Sequence, residues 1–235
     1  MKKALFVPAL LVLVACESVD STAVTTEGVY AHISATADGS GSTRTTAILK
    51  VGGATSNTYL DLVDGDVLEG SQGGETQELS KVSIGDYREY IADWNVDDED
   101  TSFGVGFLRE VDDGAPETTV TLPARFEITA PEEDVTFSRA DDDITVSWDV
   151  SADEGMSAGI TGDCFWVEGQ DIEVDDGTVS FAAGSLEAYE DQEDETCQAV
   201  ISLRRTRIGD LDPNYGEGGV ANGEQIRSVT VLSGP

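Results

Sequence analysis

The sequence predicts an all-β protein of two tandem β-sandwiches, and three observations carry that expectation. Apolar and polar residues alternate with a period of two in short stretches, the spacing of half-buried strands. The stretches are punctuated by Asp-Gly and Asn-Gly pairs at 38–39, 64–65, 113–114, 176–177 and 222–223, which favour tight turns. No stretch carries the apolar period of an amphipathic helix beyond a turn or two; the acidic run from Glu187 to Thr196 reads as a loop.

The elements follow in order. Val29, Ala31, Ile33 and Ala35 alternate with Tyr30, His32, Ser34 and Thr36. Further strands are expected over 43–51, 58–63, 86–94, 102–109 and 118–122. Leu122-Pro123-Ala124 closes this series, giving an N-terminal domain over 27–122 and a C-terminal domain over 123–235. The second series begins at Phe126 and continues through 135–137, 144–150, 158–167, 178–181, 197–208 and 225–232. Seven short strands in about 110 residues describe an immunoglobulin-like or fibronectin-like sandwich. Ile144, Val146, Trp148 and Val150 share one face, which makes Trp148 a core residue. Cys164 and Cys197 both follow that tryptophan, so the bridge of true immunoglobulin domains is not expected.

The N-terminus has its own logic. Lys2 and Lys3 precede an apolar run from Ala4 to Ala15 that, at about a dozen residues, is too short to span a bilayer, which takes roughly 20. The run ends in Leu13-Val14-Ala15-Cys16, which resembles the lipobox of bacterial lipoproteins. That resemblance implies that residues 1–15 are a cleaved signal peptide and that Cys16 is acylated. Residues 16–26 would then be lipidated cysteine and tether, and the membrane would be a partner through the lipid. Glu17, in place of Asp, leans toward the outer membrane. The second half is also similar to a set of bacterial envelope lipoproteins in residues 126–148, Gly162-Asp163-Cys164, 197–213, Gly216-Glu217-Gly218-Gly219 and Gln225 to Thr230. The first half matches them more loosely, at Tyr59 to Leu62 and Gly65-Asp66. This likeness implies two β domains and adds no chemistry.

Thirteen Lys and Arg stand against 47 Asp and Glu, a net charge of −34 that becomes −36 once Lys2 and Lys3 are removed. Such a field repels nucleic acid, which is not expected as a partner. The acidity resembles that of proteins from salt-adapted bacteria. With Cys16 assigned to lipid, Cys164 and Cys197 are expected to pair as a disulfide in an oxidising compartment, a two-thiol metal site or free thiols being the alternatives. The bridge would contribute about 3–4 kcal/mol in the chain-entropy account.

Candidate sites are few. Arg204, Arg205, Arg207 and Arg227 could form an anion-binding cluster, since guanidinium forks suit carboxylate and phosphate; internal charge compensation is the default. Asp210, Asp212 and Asn214 open like a calcium loop, but Tyr215 and Ala221 occupy the positions of its turn glycine and bidentate glutamate. Calcium is therefore the one weak cofactor candidate. Gly155-Met156-Ser157-Ala158-Gly159 spells a nucleophile elbow, yet strand-like sequence follows and the sole histidine, His32, lies upstream. The acidic runs 97–100, 141–143 and 190–195 read as solvated faces. Trp94 and Trp166 read as core residues, the latter against the disulfide. No catalytic set emerges. The leading expectation is a non-enzymatic, lipid-anchored envelope protein that binds or scaffolds an envelope protein or glycan. An envelope hydrolase using paired carboxylates and a calcium-dependent adhesin or glycan-binding module are the alternatives.

Overall fold

Alternation in a single strand sets the first layer. Val29, Ala31, Ile33, Ala35 and Ala37 are fully buried while the residues between them are half-exposed. The computed structural model describes residues 18–149, 152 and 154–235. Its elements are strands and two 3-10 turns, at Ser21–Ala23 and Thr26–Gly28. The strands before Leu122 are β1 (Ser18–Asp20), β2 (Val29–Ala37), β3 (Thr43–Val51), β4 (Thr58–Asp61), β5 (Val67–Gln72), β6 (Glu75–Glu78), β7 (Ser80–Ile84), β8 (Tyr87–Trp94), β9 (Ser102–Leu108) and β10 (Ala115–Thr121). Those after it are β11 (Ile128–Ala130), β12 (Thr136–Ser138), β13 (Ile144–Trp148), β14 (Gly155–Gly162), β15 (Phe165–Ile172), β16 (Thr178–Phe181), β17 (Cys197–Ile208) and β18 (Val220–Gly234).

In the first sandwich β3 pairs with β2 on one side and divides its other side between β8 and β4. β7 lines β8, and β1 lines β4 in parallel. The opposing layer runs β10-β9-β5-β6. Between them lie Leu49, Leu68, Trp94, Phe103, Phe107 and Val120. Trp94 satisfies its indole N–H on Thr45 Oγ1 at 3.1 Å. In the second sandwich the layer β11-β13-β16 faces β15-β14-β17-β18. Phe126, Val146, Trp148, Ile160, Phe165, Phe181 and Ile201 fill its core, and Cys164 is bonded to Cys197. The all-β sandwich architecture is as expected, with Trp148 in the core.

The two sandwiches share a sheet. β17 and β18 pair antiparallel from Cys197 opposite Ser233 to Ile208 opposite Asn222. The first part of β18, Val220 to Gln225, also pairs in parallel with His32 to Ala37 of β2, and its end pairs with β12. One hairpin therefore runs through both sandwiches. The segment behind the expected boundary consequently supplies Tyr215 and Ala221, with Leu211 packed alongside, to the first core. The direct connection is equally tight: Leu122 is buried in the first core and Phe126 in the second, with three residues between them. Gly223 and Gly209 lie where β10 crosses the hairpin, and a Cβ on either would collide with the carbonyl oxygens of Thr121 or Thr119.

Two expectations change, and three strands, β5, β6 and β7, lie where none was expected. Residues 18–28 are docked on the first sandwich and are not a free tether. The 158–167 strand is two strands that turn at Asp163-Cys164. β6 and β7 carry no apolar alternation, because their residues are largely exposed; they are held by pairing with β5 and β8.

Candidate functional site

Three of the four arginines singled out from sequence, Arg205, Arg207 and Arg227, converge on the junction of the sandwiches. β17 turns Leu203 and Arg205 inward and Arg204 outward. Its register sets Arg205 opposite Gln225 and Leu203 opposite Arg227, so Arg205, Gln225 and Arg227 look the same way. Both guanidiniums stand over the ring of Phe126, at 4.8 and 5.6 Å from its centroid. Arg205 has no exposed side-chain surface. It donates to Asp175 Oδ2 at 2.7 Å and to the carbonyl oxygens of Ala124 and Arg125 in the linker. Asp175 in turn accepts from Trp148 Nε1 at 2.7 Å and from the Ala152 amide at 2.9 Å.

The remaining arginines are matched in the same way. Arg207 bridges Glu154 at 2.6 Å and Asp100 at 2.7 Å, and those hydrogen bonds hold its guanidinium above its ordinary pKa. Arg227 meets Glu127 at 3.2 Å and donates to Gln225 and to the Ile226 carbonyl. Arg204 lies apart on the outer face, 3.6 Å from Glu224. The expected anion-binding cluster is thus engaged by the protein's own carboxylates, and Arg204 does not join the other three. Buried carboxylate-guanidinium pairs of this kind fix geometry; losing one partner strands a charge at a cost of about 3–5 kcal/mol.

The acidic run 97–100 supplies the other half of this joint: Asp97 is buried, against expectation, while residues 98–100 are exposed as expected. Asp97, 7% exposed, accepts from the Gly41 amide at 3.0 Å and pairs with Arg125. Its carbonyl accepts from Arg125 Nε and from Gln225 Nε2. Asp98 also meets Arg125, at 3.3 Å, while Asp100 reaches across to Arg207. Carboxylates of the first sandwich and arginines of the second half therefore interlock, a complementarity that separate runs in a sequence do not display.

Other candidates separate. Asp212 accepts the Glu117 amide at 2.7 Å and the Asn214 amide at 2.9 Å, while Asn214 donates to the Gly114 carbonyl. Asp210 takes part through its backbone, in a bridge to Thr119. These groups stabilise a turn over the first core, and among the described residues no three His, Cys, Asp or Glu side chains converge as a metal site. Ser157 sits mid-strand in β14 opposite Asp171 and Arg204, so the elbow geometry is not formed. His32 faces outward beside Ile48; partial burial, countered by Glu224, lowers its pKa. An open concavity of about 650 Å³ beside the joint is lined by Glu154, Glu173 and Asp175, two of which are the carboxylates already paired with arginine. Where carboxyl titration shifts, at Asp38, Asp61 and Asp112, it shifts downward, opposite to the direction a general acid needs.

Trp166 departs from expectation. A β-bulge against Thr161 turns both Trp166 and Val167 to solvent, leaving them 60% and 67% exposed, and Trp166 meets Tyr189 edge-on at 4.7 Å. Trp94 is in the core as read. Cys16 lies outside the described residues.

Besides Arg125, two buried arginines escaped the sequence reading. Arg109, its side chain 1% exposed, bonds Asp66, Asp112, Thr26 Oγ1 and the carbonyls of Ser21 and Val24, which fastens the entering chain to the fold. Arg139, 5% exposed, donates to Ser233, to Cys164 Sγ, and to the carbonyls of Gln192, Glu193 and Glu195. Their only sequence signal was rarity in so acidic a chain.

No family model and no curated protein sequence matches this chain. Among solved structures it is similar to the FN1–FN3 domains of chicken CNTN1, at 8% identity over 88% of this chain and 68% of that one, with a TM-score of 0.22. The sandwich assignment rests on the strand order given above.

Proposed function

We propose that this chain is a lipid-anchored envelope protein whose two sandwiches act as a stiff binding or scaffolding module. One observation carries the reading: the β17–β18 hairpin passes through both sandwiches, and the Arg207–Asp100 and Arg125–Asp97 pairs tie them where it crosses. A catalyst needs a concave site with unengaged groups. A scaffold needs a fixed distance between attachment and presented surface, and a shared hairpin serves that need. The lipobox ending at Cys16 supports attachment at the N-terminal end. Fractionation of cells expressing the native chain and Cys16→Ser tests the anchor: the native protein should sediment with membranes and the variant should be released, folded. In-cell crosslinking should recover an envelope component from the native protein, and less of it from Cys16→Ser. Substrate turnover by the purified protein, with no partner recovered, would sink the scaffold reading.

The exposed Trp166–Tyr189 pair favours glycan as the partner, because an open indole face stacks on sugar rings. Titration with envelope polysaccharide fragments should quench Trp166 fluorescence in the native protein and not in Trp166→Phe. Chelator should leave the melting temperature unchanged on the scaffold reading and lower it on the calcium alternative.

A further inference from the structure

Cations are scarce in this chain, and three of them gather where the described chain begins. Of the Lys and Arg residues after Cys16, Arg139, Arg205 and Arg227 are buried, and the Arg109 side chain is 1% exposed. Lys50, Lys81 and Arg88 share one corner of the first sandwich, formed by β1, the end of β3, β4 and the β7–β8 hairpin. Lys50 is opposite Tyr59 and holds its ammonium 5.5 Å from that ring. Tyr87 meets the same ring edge-on at 5.3 Å. Lys81 and Arg88 both reach Asp61, at 3.2 and 3.3 Å. Ile84, at the hairpin tip, is 73% exposed.

The corner's charge differs from that of the chain as a whole. Its carboxylates are Asp20, Asp61, Asp86 and Glu89, one more than the three cations Lys50, Lys81 and Arg88. Asp61 is engaged by both cations, and Glu89 accepts from the Tyr87 hydroxyl at 2.9 Å. A near-neutral surface with tyrosines, lysine and an exposed isoleucine is the composition that suits a headgroup interface. A surface carrying the chain's average negative charge would be repelled by anionic headgroups.

Position points the same way. β1 runs parallel to β4 with Ser18 opposite Tyr59, so the chain enters at this corner. Cys16 precedes Ser18 by two residues, a reach of about 7 Å. From Ser18 onward the segment is held by pairing with β4 and by Arg109. β18 runs from the first sandwich into the second along the direction in which β2 leaves the corner. At about 3.3 Å per residue, its length separates the corner from the far tip by about 50 Å.

We infer that the corner formed by Lys50, Tyr59, Lys81, Ile84, Tyr87 and Arg88 is a seat for phospholipid headgroups, which stands the molecule upright with the second sandwich directed away from the bilayer. The inference rests on the anchor reading only for what brings the corner to the membrane.

The test supplies the attachment chemically. The processed chain beginning at Cys16 is coupled through that thiol to a maleimide phospholipid in phosphatidylcholine–phosphatidylglycerol vesicles. Amide hydrogen exchange is compared with that of the uncoupled chain in solution. Exchange at residues 82–88 should slow about threefold or more, while residues 132–138, at the far end, keep their solution rates. Ile84→Asp, a change at an exposed tip that leaves the core untouched, should abolish the slowing. Unchanged exchange at 82–88, or slowing at 132–138 instead, would overturn the seat. Mass spectrometry of the native protein reports acylation separately: an unmodified Cys16 would sink the anchor reading without touching this result.

Discussion

Arg109 and Arg139 perform the same task at opposite ends of the molecule with different partners. Each buries a guanidinium to hold a segment that has little apolar surface of its own. Arg109 is ion-paired with Asp66 and Asp112 and binds the entering chain through the Ser21 and Val24 carbonyl oxygens and Thr26 Oγ1. Arg139 holds the acidic loop before Cys197 through carbonyl oxygens, Ser233 and a disulfide sulfur, with no carboxylate among its hydrogen-bond partners. The difference has a physical reading. An ion-paired clamp fails when its carboxylates protonate or lose their countercharge, whereas a carbonyl cage beside a disulfide depends on the covalent bond.

The largest effect should come from Arg109→Met. It leaves Asp66, whose side chain has no exposed surface, without a countercharge, and should cost about 3–5 kcal/mol in urea unfolding of the full chain. Reduction of Cys164–Cys197 comes next: about 3–4 kcal/mol lost from the second sandwich, with the first unaffected. Near-ultraviolet circular dichroism of the buried Trp148, followed against Trp94, separates the two sandwiches. Arg139→Met should cost less, about 1–3 kcal/mol, because it leaves neutral oxygens unpaired, the buried Ser233 among them, and no orphaned charge. Equal losses for the two arginine variants would defeat the comparison.

The smallest effect is local and set by pH. Asp112 is held below the usual carboxylate range, first by the Thr26 amide, with Arg109 contributing; in Asp61 the Ser18 hydrogen bond, Lys81 and Arg88 outweigh a burial effect that acts upward. Groups with depressed pKa values stabilise the fold at pH above their unfolded values, and that contribution disappears as pH falls through the folded values. Acidification below about pH 4 should therefore free residues 18–26 to exchange and proteolysis while loop 190–195 stays protected. Release of the loop first, or of both together, would contradict the assignment.

Much of the fold was legible because alternation reports burial directly. β2, β3, β8 and β17 were readable from their apolar faces, and Trp148 from its neighbours. β6 and β7 were not, since edge strands held by backbone pairing leave no apolar pattern. The bulge that exposes Trp166 depends on a register shift between two strands, which a single strand's period cannot encode. The joint was half legible. Arg205, Arg207 and Arg227 were grouped from the sequence, but Asp97, Asp100, Glu154 and Asp175 are remote in sequence and indistinguishable there from dozens of solvated acids. Only the crossing of the hairpin brings them together.

The central claim is that this hairpin and its joint make the two sandwiches one rigid body. Ile84 and Val135 are exposed at opposite ends of the molecule and suit nitroxide labels through Ile84→Cys and Val135→Cys. Pulsed electron–electron resonance between those labels in the full chain should give one narrow distance distribution that Arg205→Met broadens. A broad or bimodal distribution in the otherwise native protein would contradict the account.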